Sequence, residues 1–261
     1  SHNKSSNAPG ASPESWACPV RMRRAAERER LVLSFLFDEV WTTAKTLQHW
    51  LVFATHVPVN RLLRKMEDKG LVKPHKVSLG GPDTNLWGIT ANGLAMAVEP
   101  EKVAEALSRS TFEPSKISVS HINHQSKLQI ARIEAERAGW TDWVRGERMG
   151  GDISKRPDAV ATDPNGRRIA IEVELTFKSK KRYQQVIGEY AYLCAVKKAY
   201  KGVYYICEDD SAVRFKNLFH SIKTGYYKDD SGQRGSLEIK ENILALFKFY
   251  DISQWPNGER L

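Results

Sequence analysis

Residues 155–175 read KRPDAVATDPNGRRIAIEVEL. At their centre Asp163-Pro164-Asn165-Gly166 spells a turn, because proline presets the φ of a type I turn and glycine takes the left-handed position after it. The turn predicts two antiparallel strands. In the second, Ile169, Ile171, Val173 and Leu175 share one face and Glu172 and Glu174 the other, since side chains alternate with period two. Carboxylates beside such aliphatic neighbours are costly unless a cation or hydrogen-bond donors meet them. A simple register sets Asp158 opposite Ile171, whereas a one-residue bulge after the turn sets it opposite Glu172 and gathers Asp158, Glu172 and Glu174. Oxygen ligands from Asp158 and Glu172, with the carbonyl of Val173, suit Mg²⁺ or Mn²⁺, which would bridge a phosphate oxygen and lower the pKa of an attacking water. In that chemistry Glu174 orients or deprotonates the water, and a lysine among Lys178, Lys180 and Lys181 neutralises charge building on phosphorus. The competing reading makes Glu172 and Glu174 the solvent face of an edge strand, paired with nearby lysines.

Around this hairpin the pattern predicts a domain over residues 118–261. SHINHQSKLQIARIEAERAGW (120–140) is a helix stopped by Gly139, followed by a strand around Trp143, the hairpin, a long helix from about Lys180 to Ala199, the strand GVYYIC and a helix from about Ser211 to Ser221. The element order is α-β-β-β-α-β-α. His121 and His124, three apart, share a helix face, and His124 or Gln125 would touch DNA or metal-bound water if that helix borders the site; surface or capping roles compete. Glu134 is a weaker candidate on the same helix. Lys178, Lys180, Lys181 and Arg182 open the next helix and would face a nucleic-acid backbone. Among Tyr183, Tyr190 and Tyr192, a tyrosine would stack on bases or attack phosphorus, with Tyr190 read rather as core.

Residues 100–117, with Pro100, Pro114 and one amphipathic turn near Val103 to Leu107, read as a linker. Before it, residues 21–99 show three helices and a hairpin. RMRRAAERERLVLSFLFDEV starts the first helix, Thr42-Thr43 caps a second through Leu51, and Pro58 opens a third that stops at Gly70. LVKPHKVSL and LWGIT then flank the turn GGPDTN, and TANGLAMAV returns to helical spacing. This pattern is a winged helix-turn-helix. Asn60, Arg61, Arg64 and Lys65 would read DNA from the third helix, with Lys73, His75 and Lys76 on the wing; a protein-binding role is the alternative. Residues 1–20 are too poor in apolar side chains to order and read as a flexible tail carrying a Ser1-His2 tag scar.

Composition agrees with such a partner. The 40 Lys and Arg against 31 Asp and Glu give a net charge of +9, which favours a polyanion. Cys18, Cys194 and Cys207 form no CxxC, which argues against a disulfide framework or zinc ribbon and for a reducing, cytoplasmic setting. No apolar run approaches the ~20 residues of a membrane span, so no membrane insertion is expected.

Pro157-Asp158 followed by Glu172-Val173-Glu174 on the next strand resembles the PD-(D/E)xK nuclease superfamily, with Glu174 at the position usually held by lysine. The likeness implies a restriction-endonuclease-like α/β domain with a mixed central sheet, and hence an α+β chain overall. The phrase LLRKMEDKGLVKPHKV…LWGITANGLAMA resembles the winged-helix domains of bacterial regulators. The combination, with polar residues opening the long helix and E.E…K…RY after the hairpin, resembles the replication-relaxation family and the MobC-type conjugative relaxases of mobilisable plasmids. That resemblance implies a nickase acting with a divalent metal on double-stranded DNA at a plasmid transfer origin, alongside relaxosome and coupling proteins. Two other functions compete: a DNA-binding replication or transcription regulator whose nuclease-like domain is inactive, and a restriction or repair endonuclease.

Overall fold

The computed structural model describes residues 13–151, 153 and 155–258. The chain divides into two compact units, Ser1–Ile117 and Ser118–Leu261. Of the tail expected over residues 1–20, residues 1–12 lie outside the described residues, and the rest belongs to the first helix, α1 (Pro13–Glu39). Proline suits a helix's first turn, where its missing N–H has no partner to lose.

In the first unit α1 buries Val32, Leu33, Phe35 and Leu36. A short strand β1 (Trp41–Thr43) leads into α2 (Ala44–Leu51), where the Thr43 hydroxyl accepts from the Thr46 N–H at 3.1 Å. The third helix, α3 (Val57–Asp68), puts Val59, Leu63 and Met66 inward and ends at Gly70, whose φ of 71° is a left-handed stop. Strands β2 (Val72–Val77) and β3 (Thr84–Ile89) pair antiparallel, and β1 adds to the other side of β3, an extra strand that the sequence reading lacks. Thr90 caps α4 (Ala91–Met96), its hydroxyl accepting from the Gly93 N–H. The stretch read as a linker carries the short helix α5 (Val103–Ala106) and packs on this unit: Phe112 is 2% exposed and lies so close to Gly88 that a Cβ there would come within 2.1 Å of its ring.

The second unit opens with α6 (Val119–Arg137), capped by Ser118. Strands β4 (Thr141–Arg145), β5 (Ala159–Thr162) and β6 (Arg168–Glu174) run antiparallel in turn. The helix α7 (Lys180–Ala191) follows and stops earlier than the sequence pattern implies, in a single π turn over Tyr192–Val196 closed by Lys197 N–H on Tyr192 O. Then come β7 (Gly202–Cys207) and α8 (Ala212–His220). Beyond the order α-β-β-β-α-β-α expected from the sequence, a hairpin of β8 (Thr224–Lys228) and β9 (Arg234–Glu238), α9 (Glu241–Leu244) and β10 (Phe247–Asp251) complete the unit. The sheet order is β10-β7-β6-β5-β4, with β6, β7 and β10 parallel and the rest antiparallel, so the chain is α+β with a mixed central sheet.

Strand β6 is therefore central. Ile169, Ile171 and Val173 enter one core with Leu128 and Ala131 of α6, while Ala170 enters the other with Tyr183, Ile187 and Tyr190 of α7. Both faces being covered excludes the edge-strand reading of Glu172. On the far side of α7 the hairpin packs backbone to backbone: a Cβ on Gly188 would stand 2.2 Å from the Tyr226 carbonyl oxygen. Gly188→Ala is therefore expected to destabilise the protein by about 1–3 kcal/mol, read as a lowered urea midpoint, because backbone cannot step aside as a side-chain tip can. Among the described residues, no helix is long and apolar enough to cross a membrane.

Candidate functional site

The turn after β5 takes the bulged form. Gly166 adopts φ 79°, Asp163 pairs with Arg167, and the Asp163 carboxylate accepts from the N–H groups of Asn165 and Arg167. The ladder then runs Thr162↔Arg168 to Ala159↔Ile171, and the next step brings Asp158 opposite Glu172. A second contact fixes Asp158 from the β4 side, where the Gly146 N–H donates to its carbonyl at 2.9 Å. Only glycine fits there, since a Cβ would meet the Pro157 carbonyl at 1.8 Å.

Just beyond the paired residues the Val173 backbone turns to side chains. Its N–H donates to Asp158 Oδ2 at 2.8 Å, and its carbonyl faces His124 Nε2 at 3.0 Å. That same nitrogen lies 3.1 Å from Asp158 Oδ2. A carbonyl can only accept, so Nε2 carries the proton and shares it between the two oxygens. The hydrogen bond to Asp158 raises the His124 pKa against the opposing effect of burial. Burial pushes the Asp158 carboxyl upward, but the His124 bond and charge outweigh it and hold the group below its ordinary value.

Glu172 behaves oppositely. It is 8% exposed, and burial, followed by the nearby Asp158 charge, pushes its carboxyl up to about 7. Lys155 Nζ at 2.8 Å and the Tyr190 hydroxyl both donate to Oε1 and resist that rise. Two neighbouring carboxyls are thus driven apart in acidity, the condition in which one holds a proton while the other stays charged. Glu174 accepts from Lys178 Nζ, and the Tyr183 hydroxyl lies 3.4 Å from its other oxygen.

These groups line an open cleft of about 1070 Å³ together with Ser120, His121, Asn123, Lys127 and Arg182. Of the residues predicted from sequence, Asp158, Glu172, Val173, Glu174, Lys178, His121, His124, Arg182 and Tyr183 come together here. Lys180 and Lys181 are exposed at the start of α7 and do not line the cleft. Gln125 is a correction: it is 3% exposed and accepts from Arg145 at 3.1 Å, one helix position round from the cleft-facing His124. Glu134 pairs with Arg137 toward the far end of α6, and Tyr192 stacks on Tyr227 beside a different cavity. Burial raises the phenols of Tyr183 and Tyr190 above their ordinary value, so neither stands ready as a phenolate.

Lys155 escaped the sequence reading. It precedes the Pro-Asp pair in the quoted segment and was readable only as one more cation; its side chain is 17% exposed, with Nζ 5.4 Å from the Tyr190 ring centre. In the first unit Asn60, Arg61, Lys65, Lys73 and Lys76 are exposed, and Arg64 lies over the Trp87 ring while pairing with Glu67.

The available metal donors are hard oxygens, the class that Mg²⁺ and Mn²⁺ take. Among the described residues, no three His, Cys, Asp or Glu side chains form a ready cage. Asp158 Oδ2 and the Val173 carbonyl both face His124 Nε2, and Glu172, its carboxyl pushed up chiefly by burial, precedes Val173 on the same strand.

Fold and site together define an α+β protein of two units whose second carries a carboxylate pair, a histidine and a lysine at the end of a mixed sheet. The replication-relaxation family model matches residues 33–206, more than half of the chain, and the protein belongs to that family, which suggests a role in replication or relaxation. No curated protein and no solved structure matches it significantly.

Proposed function

We propose that this protein is a divalent-metal-dependent DNA nickase of the MobC relaxase type. In this reading a winged helix in the first unit selects the DNA, and a PD-(D/E)xK nuclease-like second unit cuts one strand at a plasmid transfer origin. The observation that carries it is the opposition of Asp158 and Glu172 across the hairpin, with unequal acidities, in an open cleft fringed by Lys178 and Arg182. The helix, hairpin and third strand of the first unit, with Asn60, Arg61 and Lys65 exposed on α3, support the DNA-reading part.

Asp158, Glu172 and the Val173 carbonyl would hold Mg²⁺ or Mn²⁺, which when bound supplies Lewis acidity toward phosphate and a more acidic water. His124 orients Asp158 and, on yielding the Val173 carbonyl, donates to a phosphate oxygen. Glu174 steers the attacking water. Its own charge is met by Lys178, as that of Glu172 is by Lys155; of the two ammonium groups the less exposed, Lys155, is the one we assign to the charge building on phosphorus. Lys155→Met should slow nicking about a hundredfold, with Lys155→Arg retaining more, as measured from initial rates of supercoiled-plasmid relaxation. Full speed in Lys155→Met removes Lys155 from the machinery.

The test of the whole reading is to incubate supercoiled plasmid carrying the protein's own transfer origin with Mg²⁺ or Mn²⁺, follow conversion to open circles, and map the nick by primer extension. Linear product instead would indicate a restriction- or repair-type enzyme cutting both strands. One observation favours a second reading, a DNA-binding regulator with a non-cutting second unit: His124, Lys155 and Tyr190 already satisfy the two carboxylates. Site-specific binding that persists in EDTA, with no cleavage of any DNA, would select it.

A further inference from the structure

Three residues beyond Glu174, Phe177 stands in a segment, residues 176–182, that is exposed at every position. The residue is 51% exposed, an unusual state for a phenylalanine beside a polar cleft. It is also fixed. The ring lies face to face on buried Phe215 of α8, with centroids 4.0 Å apart and planes 14° apart. Phe215 in turn meets Tyr183 edge-on, and Tyr183 reaches Glu174. One face of Phe177 is therefore held by an aromatic stack rooted in the cleft, while the ring remains half open to solvent.

We infer that Phe177 is a stacking platform for an unpaired nucleobase next to the phosphate that a cation would bring to the carboxylates. Three residues of extended chain span at most about 11 Å, so the base taken up belongs to a nucleotide within one or two steps of that phosphate. Lys180, Lys181 and Arg182 follow closely on an exposed helix start, which supplies the positive charge a nucleic-acid backbone requires. Bases inside a duplex are stacked on both faces and offer none to Phe177, so the DNA recognised here is locally unpaired. A pre-stacked phenyl ring loses little freedom on accepting a base, which makes the platform effective without sequence preference.

The inference rests on the nickase reading only for where the phosphate lies, and its test uses no cleavage. In EDTA, a single-stranded DNA of about 16 nucleotides carrying 2-aminopurine, and the corresponding duplex, are titrated with the intact 261-residue chain. The wild type should quench the 2-aminopurine on the single strand. Phe177→Ala and Phe177→Leu should lose the quench and bind the single strand about tenfold more weakly, with duplex affinity and the salt dependence of binding little changed; Phe177→Trp should retain both quench and affinity. Phe177→Leu keeps an apolar group on Phe215, so it reports on the aromatic face even if the alanine variant folds poorly. Single-strand binding by Phe177→Leu equal to the wild type, or no quench by the wild type, overturns the inference. A plasmid that is never nicked while the Phe177-dependent quench persists defeats the nickase reading alone.

Discussion

Asp158→Ala and Glu172→Ala are each expected to bring the proposed metal-dependent plasmid relaxation down by at least about a thousandfold, while DNA binding in EDTA stays near that of the wild type. The size follows from charge. A cation at a phosphoryl centre supplies several kcal/mol of stabilisation, and each 1.36 kcal/mol is tenfold in rate. Each substitution removes one of only two carboxylates that face each other across the hairpin. Asp158→Ala also leaves the Val173 N–H and His124 without their shared acceptor, so the backbone that presents the carbonyl loosens as well. The first unit, with its own basic α3 and β2 side chains, is untouched by either change. Relaxation at wild-type rate by either variant would remove the carboxylate pair from the chemistry.

The second large effect is on stability and has an unusual sign: Glu172→Gln should make the protein more stable at pH 8. The folded-state carboxyl titrates at about 7 against an ordinary 4.5, chiefly because it is buried and then because Asp158 is near. A raised carboxylate binds its proton more tightly when folded. It therefore costs nothing below about pH 4.5, and stability falls as pH rises to 7, where the cost levels off at about 3 kcal/mol. Glutamine preserves the acceptor for Lys155 and the Tyr190 hydroxyl but carries no charge to desolvate. The difference between variant and wild type in urea denaturation should be close to zero at pH 4.5 and largest at pH 8. A less stable variant at pH 8 would mean that Lys155 and Tyr190 more than compensate the buried charge. Added Mg²⁺ or Mn²⁺ is expected to raise the wild-type urea midpoint and leave that of Glu172→Gln unmoved, since a ligand stabilises only the form that binds it.

The sequence by itself determined the local grammar. Asp163-Pro164-Asn165-Gly166 fixed a turn, the turn fixed two strands, and period-two alternation divided Ile169, Ile171 and Val173 from Glu172 and Glu174. Thr43, Pro58 and Gly70 likewise marked helix ends where the structure has them, because caps and left-handed stops act within a few residues. Tertiary structure decided the rest. Sequence left two registers open, and the left-handed Gly166 selected the one that opposes Asp158 to Glu172. Strand β10 pairs with β7, more than forty residues earlier in the chain, so nothing local announces it. Lys155 and Gln125 make the same point from opposite directions. One lysine among many became the partner of Glu172, and a glutamine adjacent to His124 turned inward to Arg145, because which side chains meet is settled by packing across elements and not by spacing along one of them. The carboxylates were legible from their strand; their acidities, and the lysine and histidine that set them, existed only once α6, α7 and the hairpin had closed around them.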